Sequence, residues 1–180
     1  LPDKPWLPGG WTGRDFLLAT ARLYEIPVSR AMEHADRLLR LFHLEKQGDW
    51  LIADYSAGQQ KKIALAGVLS TEAPYLLLDE PFSGGLDPAG IMALKRVLKR
   101  LADDRSVTVV ITTPVPELVE ELSSRVAIIR DGRVAAFDTV SNIRAAGGGA
   151  TLEESLQKLL DPQALANIES YFIKGSGDGR

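Results

Sequence analysis

The stretch Tyr75-Leu76-Leu77-Leu78-Asp79-Glu80-Pro81 decides how this chain is read. Its four leading residues are apolar or aromatic without a helical period, the pattern of a strand buried on both faces in a parallel sheet. Two adjacent carboxylates stand at its C-terminal end, and Pro81 closes the run. Taken alone, that is compatible with a core strand entering an acidic turn. The flanking sequence adds chemistry. Upstream, Ser56-Ala57-Gly58-Gln59-Gln60 opens a helix with apolar Ile63, Leu65, Ala66, Val68 and Leu69. The Ser56 hydroxyl, the Gly58 amide and the unpaired N–H groups of that helix start predict an anion site, to which Lys61 and Lys62 add positive charge one turn on. Downstream, Ser83-Gly84-Gly85-Leu86-Asp87-Pro88 ends in an N-cap aspartate followed by proline at the first helical position, and a helix carrying Ile91, Leu94, Val97, Leu98 and Leu101 follows.

The bulk composition sets limits. With 180 residues, 45% apolar and 25% charged, the chain reads as one soluble globular domain with a sizeable core. A net charge of −3 and the lack of a dense Lys/Arg block argue against a nucleic-acid track. No apolar run reaches the roughly 20 residues of a membrane span. The absence of cysteine fits a reducing compartment. The sequence opens on Leu1 rather than Met, as expected for a piece of a longer protein.

Around the central stretch, Leu1 to Trp11 is rich in proline and glycine and reads as irregular. Thr12-Gly13-Arg14-Asp15 has capping-box spacing ahead of a helix that ends before Pro27. Ser29 is the expected cap of a second helix, with Ala31, Ala35, Leu38 and Phe42 on one face. His34 and His43 have no metal-ligand companions and read as surface residues. Residues 45–55 form a polar connector in which Trp50 is read as a core plug. Val107 to Thr112 is a second buried strand, leading to Thr113-Pro114. Val126 to Arg130 and Val134 to Phe137 flank Asp131-Gly132, a two-residue hairpin signal. Gly147-Gly148-Gly149 is expected to be a flexible hinge, Leu152, Leu156, Leu159 and Leu160 a short helix, Asp161-Pro162 the start of another, and Gly175 to Arg180 disordered.

In order and spacing, the Ser56 helix start, the Asp79-Glu80 strand end and the Ser83 to Pro88 loop resemble the signature motif, Walker B and D-loop of ATP-binding cassette (ABC) ATPases. The resemblance runs to about residue 146 and corresponds to the C-terminal two-thirds of a nucleotide-binding domain. It implies an α/β fold, a P-loop NTPase-like core with a helical subdomain. The implied segments are a Q-loop-like opening at 1–11, a helical subdomain with the signature helix at 12–72, the C-terminal half of the ATPase core at 73–146, and a hinge with helical extension at 147–180. It also implies ATP and Mg²⁺ as cofactors. Asp79 would hold the metal, and Glu80 would orient the attacking water as the catalytic residue. Ser56, Ala57, Gly58 and Gln59 would bind the γ-phosphate held by a second nucleotide-binding domain, and Asp87 would organise the opposing site. Asp3, where many members carry Gln, would reach Mg²⁺ through water or is an exposed loop residue. The implied partners are that second domain and a transmembrane permease, placing the chain on the cytoplasmic face of a membrane. No nucleic acid is expected.

The sequence departs from the family in several places. Tyr55 and Ala57 replace the usual Leu and Gly of the signature, and an extra glycine, Gly84 or Gly85, lengthens the D-loop. Pro114, with no side-chain donor and no backbone N–H, stands at the switch-histidine position. No G-x-x-x-x-G-K-[ST] phosphate loop occurs in the sequence; in the family it precedes the Q-loop, and without it these residues are expected to be inactive alone. The helical segment and the Tyr-Ser-x-Gly-Gln signature lean toward ABC-2-type exporters. The alternative kept open is a non-hydrolysing ABC-like regulatory or partner-binding module.

Overall fold

The computed structural model describes residues 1–104, 107–160, 163 and 170–171. The helix start expected at Asp161-Pro162 and the disorder expected at 175–180 lie outside the described residues. The elements, in chain order, are α1 (Gly13–Leu23), α2 (Val28–Leu41), a 3-10 turn (Ile52–Asp54), α3 (Ala57–Ser70), β1 (Tyr75–Asp79), α4 (Pro88–Asp103), β2 (Thr108–Thr112), α5 (Pro116–Leu122), β3 (Arg125–Arg130), β4 (Arg133–Thr139), α6 (Val140–Gly147) and α7 (Leu152–Leu160). Instead of the single domain expected from composition, the chain forms two compact units, Leu1–Pro114 and Val115–Arg180.

In the first unit, Thr12 caps α1 by accepting the Asp15 amide at 3.0 Å. Helix α2 begins two residues earlier than expected. Pro27, locked in an extended conformation, is the cap residue and Ser29 lies inside the first turn. The apolar stripe predicted for α2 is buried as expected at Ala31, Ala35, Leu38 and Phe42. It packs with Leu17 of α1 and Ile63, Leu65 and Ala66 of α3 in one core. Arg14 ties the helices to the connector, pairing with Asp36 of α2 and, at 2.9 Å, with Asp49. Helix α3 is buried continuously from Lys61 to Gly67, as a central helix is.

Strands β1 and β2 pair in parallel, Tyr75 opposite Thr108 through Asp79 opposite Thr112. The expectation of burial on both faces is corrected here. Leu76 and Leu78 are buried, whereas Tyr75 is 71% and Leu77 65% exposed. Only one face of the pair is covered by the helices of this unit. Trp50 is likewise no core plug: it is 50% exposed, and its backbone carbonyl receives the Gly13 amide. The buried aromatic of the connector is Tyr55, whose hydroxyl donates to the Gln47 carbonyl at 2.6 Å. Burial, with the Asp49 charge second, raises its phenol to about 12. His34 is half-buried rather than on the surface, 3.4 Å from the Glu72 carboxylate, and burial lowers its pKa.

In the second unit the Asp131-Gly132 hairpin forms as read, with positive φ at both turn residues (49° and 73°). The Gly147 to Gly149 run is a packed helix end instead of a hinge. Gly148 takes the left-handed conformation that closes α6. The fully buried Ser155 of α7 lies so close that a Cβ on Gly147 would stand 2.5 Å from its side chain.

Candidate functional site

The parallel pairing of β1 and β2 brings Asp79 and Thr112 side by side at the C-terminal strand ends, where ligands of α/β sheets bind. The Thr112 hydroxyl donates to Asp79 Oδ1, and the Thr112 carbonyl receives the Glu80 amide at 3.1 Å. On its other edge β1 is met by Leu1. The Leu1 amine donates to the Leu77 carbonyl at 2.7 Å, and the Leu1 carbonyl receives the Asp79 amide at 2.8 Å. That alternation is the bonding of a parallel neighbour.

Glu80 follows with φ +43°, a left-handed conformation that costs a non-glycine residue about 1–2 kcal/mol. Its carbonyl is held from several sides. Lys61 Nζ lies at 3.1 Å, Ser83 Oγ at 2.8 Å and the Ser83 amide at 3.1 Å. Lys61 is only 4% exposed and also donates to the Asp3 carbonyl at 3.2 Å, with the Asp3 carboxylate at 3.9 Å. Ser83 Oγ is within reach of that carboxylate as well, at 3.0 Å. Asp3, predicted as an exposed loop residue or a metal contact, is therefore half-buried and drawn to Lys61 and Ser83.

The start of α3 is built as the sequence suggested, with one difference. Ser56 Oγ accepts the Gln59 amide at 3.3 Å, and Gln59 Oε1 accepts the Ser56 amide at 2.9 Å, a reciprocal capping box. Ala57 is the first helical residue and keeps a negative φ, so its replacement of glycine is unstrained. Gly58 is required for a different reason: a Cβ there would stand 2.6 Å from the Gly85 carbonyl oxygen. The longer D-loop turns with positive φ at both Gly84 (79°) and Gly85 (94°), which places that carbonyl against the helix start.

The two lysines do not add charge at the helix start, contrary to expectation. Both are buried, Lys61 toward Asp3 and Glu80 and Lys62 toward Asp87. Asp87 Oδ2 receives Lys62 Nζ at 2.8 Å while Oδ1 receives the Gly90 amide at 2.7 Å, capping α4. The lysine bond first, and the cap second, hold this carboxylate below its ordinary pKa. The structure thus gathers Asp3, Asp79, Glu80, Ser83 and Lys61 around one turn, and joins Asp87 and Gly85 to α3. Sequence reasoning missed the roles of Lys61, Ser83 and Thr112. A lysine pair entering an otherwise apolar helical stretch was the available signal for the first.

Residues 14–120 match a family described as "AAA domain, putative AbiEii toxin, Type IV TA system". The chain belongs to this AAA-domain family. Its relatives narrow the assignment. It is 34% identical over 146 residues, 81% of this chain, to the daunorubicin resistance ATP-binding protein DrrA3 of Streptomyces coeruleorubidus. It is 31% identical over 73% of its length to the bacitracin transport ATP-binding protein BcrA of Bacillus licheniformis. A solved ATP-binding subunit of an ABC transporter superposes with TM-score 0.78 at 29% identity, over 88% of this chain and 66% of that one. The resemblance read from the motifs is therefore correct, and the fold is the α/β fold of ABC ATP-binding subunits. The chain spans 46% and 42% of the two curated relatives' lengths.

Proposed function

We propose that the protein containing this chain is the ATP-binding subunit of an ABC transporter, coupling ATP binding and hydrolysis in a head-to-tail dimer to movement of a substrate across a membrane. The observation that carries this reading is the convergence on α3 of the Glu80 turn at the end of β1 and the Ser83 to Asp87 loop. The donor chemistry at the end of β1 suits Mg²⁺: the exposed Asp79 carboxylate and the Thr112 hydroxyl are hard oxygens, and this ion commonly takes one or two carboxylates and keeps its waters. Asp79 would hold it, and when bound it would supply positive charge to the phosphates. Glu80 orients and polarises the attacking water, its backbone fixed between Thr112 and Ser83. Ser56, Ala57, Gly58 and Gln59 present a helix N-terminus to the γ-phosphate bound by the second nucleotide-binding domain. Asp87, held by Lys62, lies in the loop that would face the opposing site.

A permease partner and a place at the cytoplasmic membrane face are supported by an exposed aromatic group on the first unit. Around the Thr12–Leu51 bridge, Trp11 (47% exposed), Trp50 (50%) and Leu51 (45%) all lie open at the surface. Among the described residues no helix is long and apolar enough to cross a membrane. An ABC-2-type exporter is the preferred class, on the signature sequence Tyr55 to Gln59. The second reading, a non-hydrolysing module, draws on Pro114, which is exposed and offers no donor at the switch position.

ATP turnover by the full-length protein decides between them. Glu80→Gln is expected to lower the rate by about 10²–10⁴-fold, the usual contribution of a group that handles the reacting proton. Equal rates in the two proteins would leave the non-hydrolysing module.

A further inference from the structure

A buried ammonium is costly unless it is well paired. Lys61, at 4% exposure, is bonded to two backbone carbonyls and faces one carboxylate rather than being held by a close ion pair. One of those carbonyls belongs to Glu80, the residue whose left-handed backbone must be held in place by its surroundings. The Glu80 peptide groups are fixed on both sides. Thr112 takes the amide, while Lys61 Nζ and Ser83 crowd the carbonyl within 2.8–3.1 Å. Lys61 joins α3 and the Asp3 segment to this same turn.

We infer that Lys61 is a positioning residue for Glu80, holding its strained backbone so that the carboxylate emerges at the end of β1, and linking it to the start of the signature helix within one protomer. The inference rests on the proposed role of Glu80. Lys61 does not touch the reacting atoms. Its ammonium is the one donor to the Glu80 carbonyl that comes from outside the turn, the other two being the hydroxyl and amide of Ser83. A methionine in its place keeps the packing but removes that donor, leaving the carbonyl to Ser83 alone.

The test is steady-state ATP turnover by the full-length protein. Lys61→Met is expected to lower kcat about 10–100-fold, the usual effect of displacing a reacting group by a fraction of an ångström to an ångström. KM for ATP is expected to stay nearly constant, because the nucleotide contacts lie elsewhere. Lys61→Arg, which restores a buried donor, is expected to recover much of the rate. In a Glu80→Gln background, Lys61→Met is expected to cause no further loss, since a residue acting through Glu80 has nothing left to position. A wild-type kcat for Lys61→Met overturns the inference, as does a loss that multiplies in full with that of Glu80→Gln. A Glu80→Gln protein as fast as wild type removes the underlying reading instead, so the two failures are distinct. Should Lys61→Met not fold, Ser83→Ala removes another donor to the same carbonyl. It must then show a kcat loss at constant KM that is likewise absent in the Glu80→Gln background, and an unaltered kcat overturns the inference.

Discussion

The helices α1 to α3 and the strand pair β1–β2 share one compact unit and bury their apolar residues to different extents. The helices seal their inner faces, where Leu17, Leu39, Phe42, Ile63 and Leu65 are all at most 1% exposed, and leave Leu23, Val28 and Met32 exposed at their ends and outer side. The strands bury Leu76 and Leu78 but leave Tyr75, Leu77 and Val110 more than half exposed on the other face. Helix–helix packing closes locally, because each amphipathic stripe finds its partner within about 50 residues of chain. A parallel pair cannot close itself, since each strand needs a neighbour on both edges and a layer on both faces. Leu1 is bonded to the other edge of β1 as a parallel neighbour would be.

The largest expected effect separates these two regions. Leu65→Ala should destabilise the chain by about 2–5 kcal/mol, a lost transfer term plus a cavity. Leu77→Ala should change it by no more than about 0.5 kcal/mol, as for surface positions. Urea unfolding of this chain measures both. Repeating Leu77→Ala in the longer protein sharpens the contrast, because a layer over that face would raise its cost toward the Leu65 value. Equal costs for the two substitutions in this chain would break the comparison.

A smaller effect is expected where the two regions meet. Gly58→Ala puts a methyl 2.6 Å from the Gly85 carbonyl, a backbone atom held by two left-handed glycines rather than a side chain that can swing away. The loop or the helix start must shift, at about 1–3 kcal/mol. Thermal unfolding of Gly58→Ala reads that cost directly. An unchanged Tm would mean the D-loop rests on α3 without pressing on it.

Most of the elements were legible because they are set by local chemistry. Thr12, Ser56 and Asp87 are caps in the structure as in the sequence, and Asp131-Gly132 turns the hairpin. Burial of whole faces was less legible. Four apolar residues in a row announce a strand that wants two covered faces, but nothing in the run says which layers are present to cover them. Trp50 misled for a related reason: its size suggests a core, while the connector fills that space with Tyr55 and leaves the indole outside. The order of the motif residues was plain, and their bonding was not. Whether Lys61 and Lys62 point out to an anion or inward to a carbonyl and a carboxylate depends on the angle at which α3 lies against β1 and α4. That angle is a property of packing, invisible in a lysine pair.

The smallest expected effect lies at the last link between the regions, Asp87. Its carboxylate does two jobs, capping α4 through Gly90 and holding Lys62 of α3, and both favour the charged form. Its folded pKa therefore lies below the unfolded value near 4, so the stability it contributes is fully present above that pH and is lost as the pH falls through the lower folded value. The side chain is 54% exposed, so the charge pair is screened and the cap, about 1 kcal/mol, sets the scale. Asp87→Asn keeps an acceptor for Gly90 and loses the charge. The stability difference between the two proteins should be constant from neutral pH down to about pH 5 and shrink as the pH falls through the carboxylate range. A difference that does not change across that range would mean the Lys62 contact contributes nothing to holding α4 against α3. The seam would then rest on the close approach of Gly58 to Gly85 and on the bonds of Lys61, which would raise the expected cost of disturbing either one.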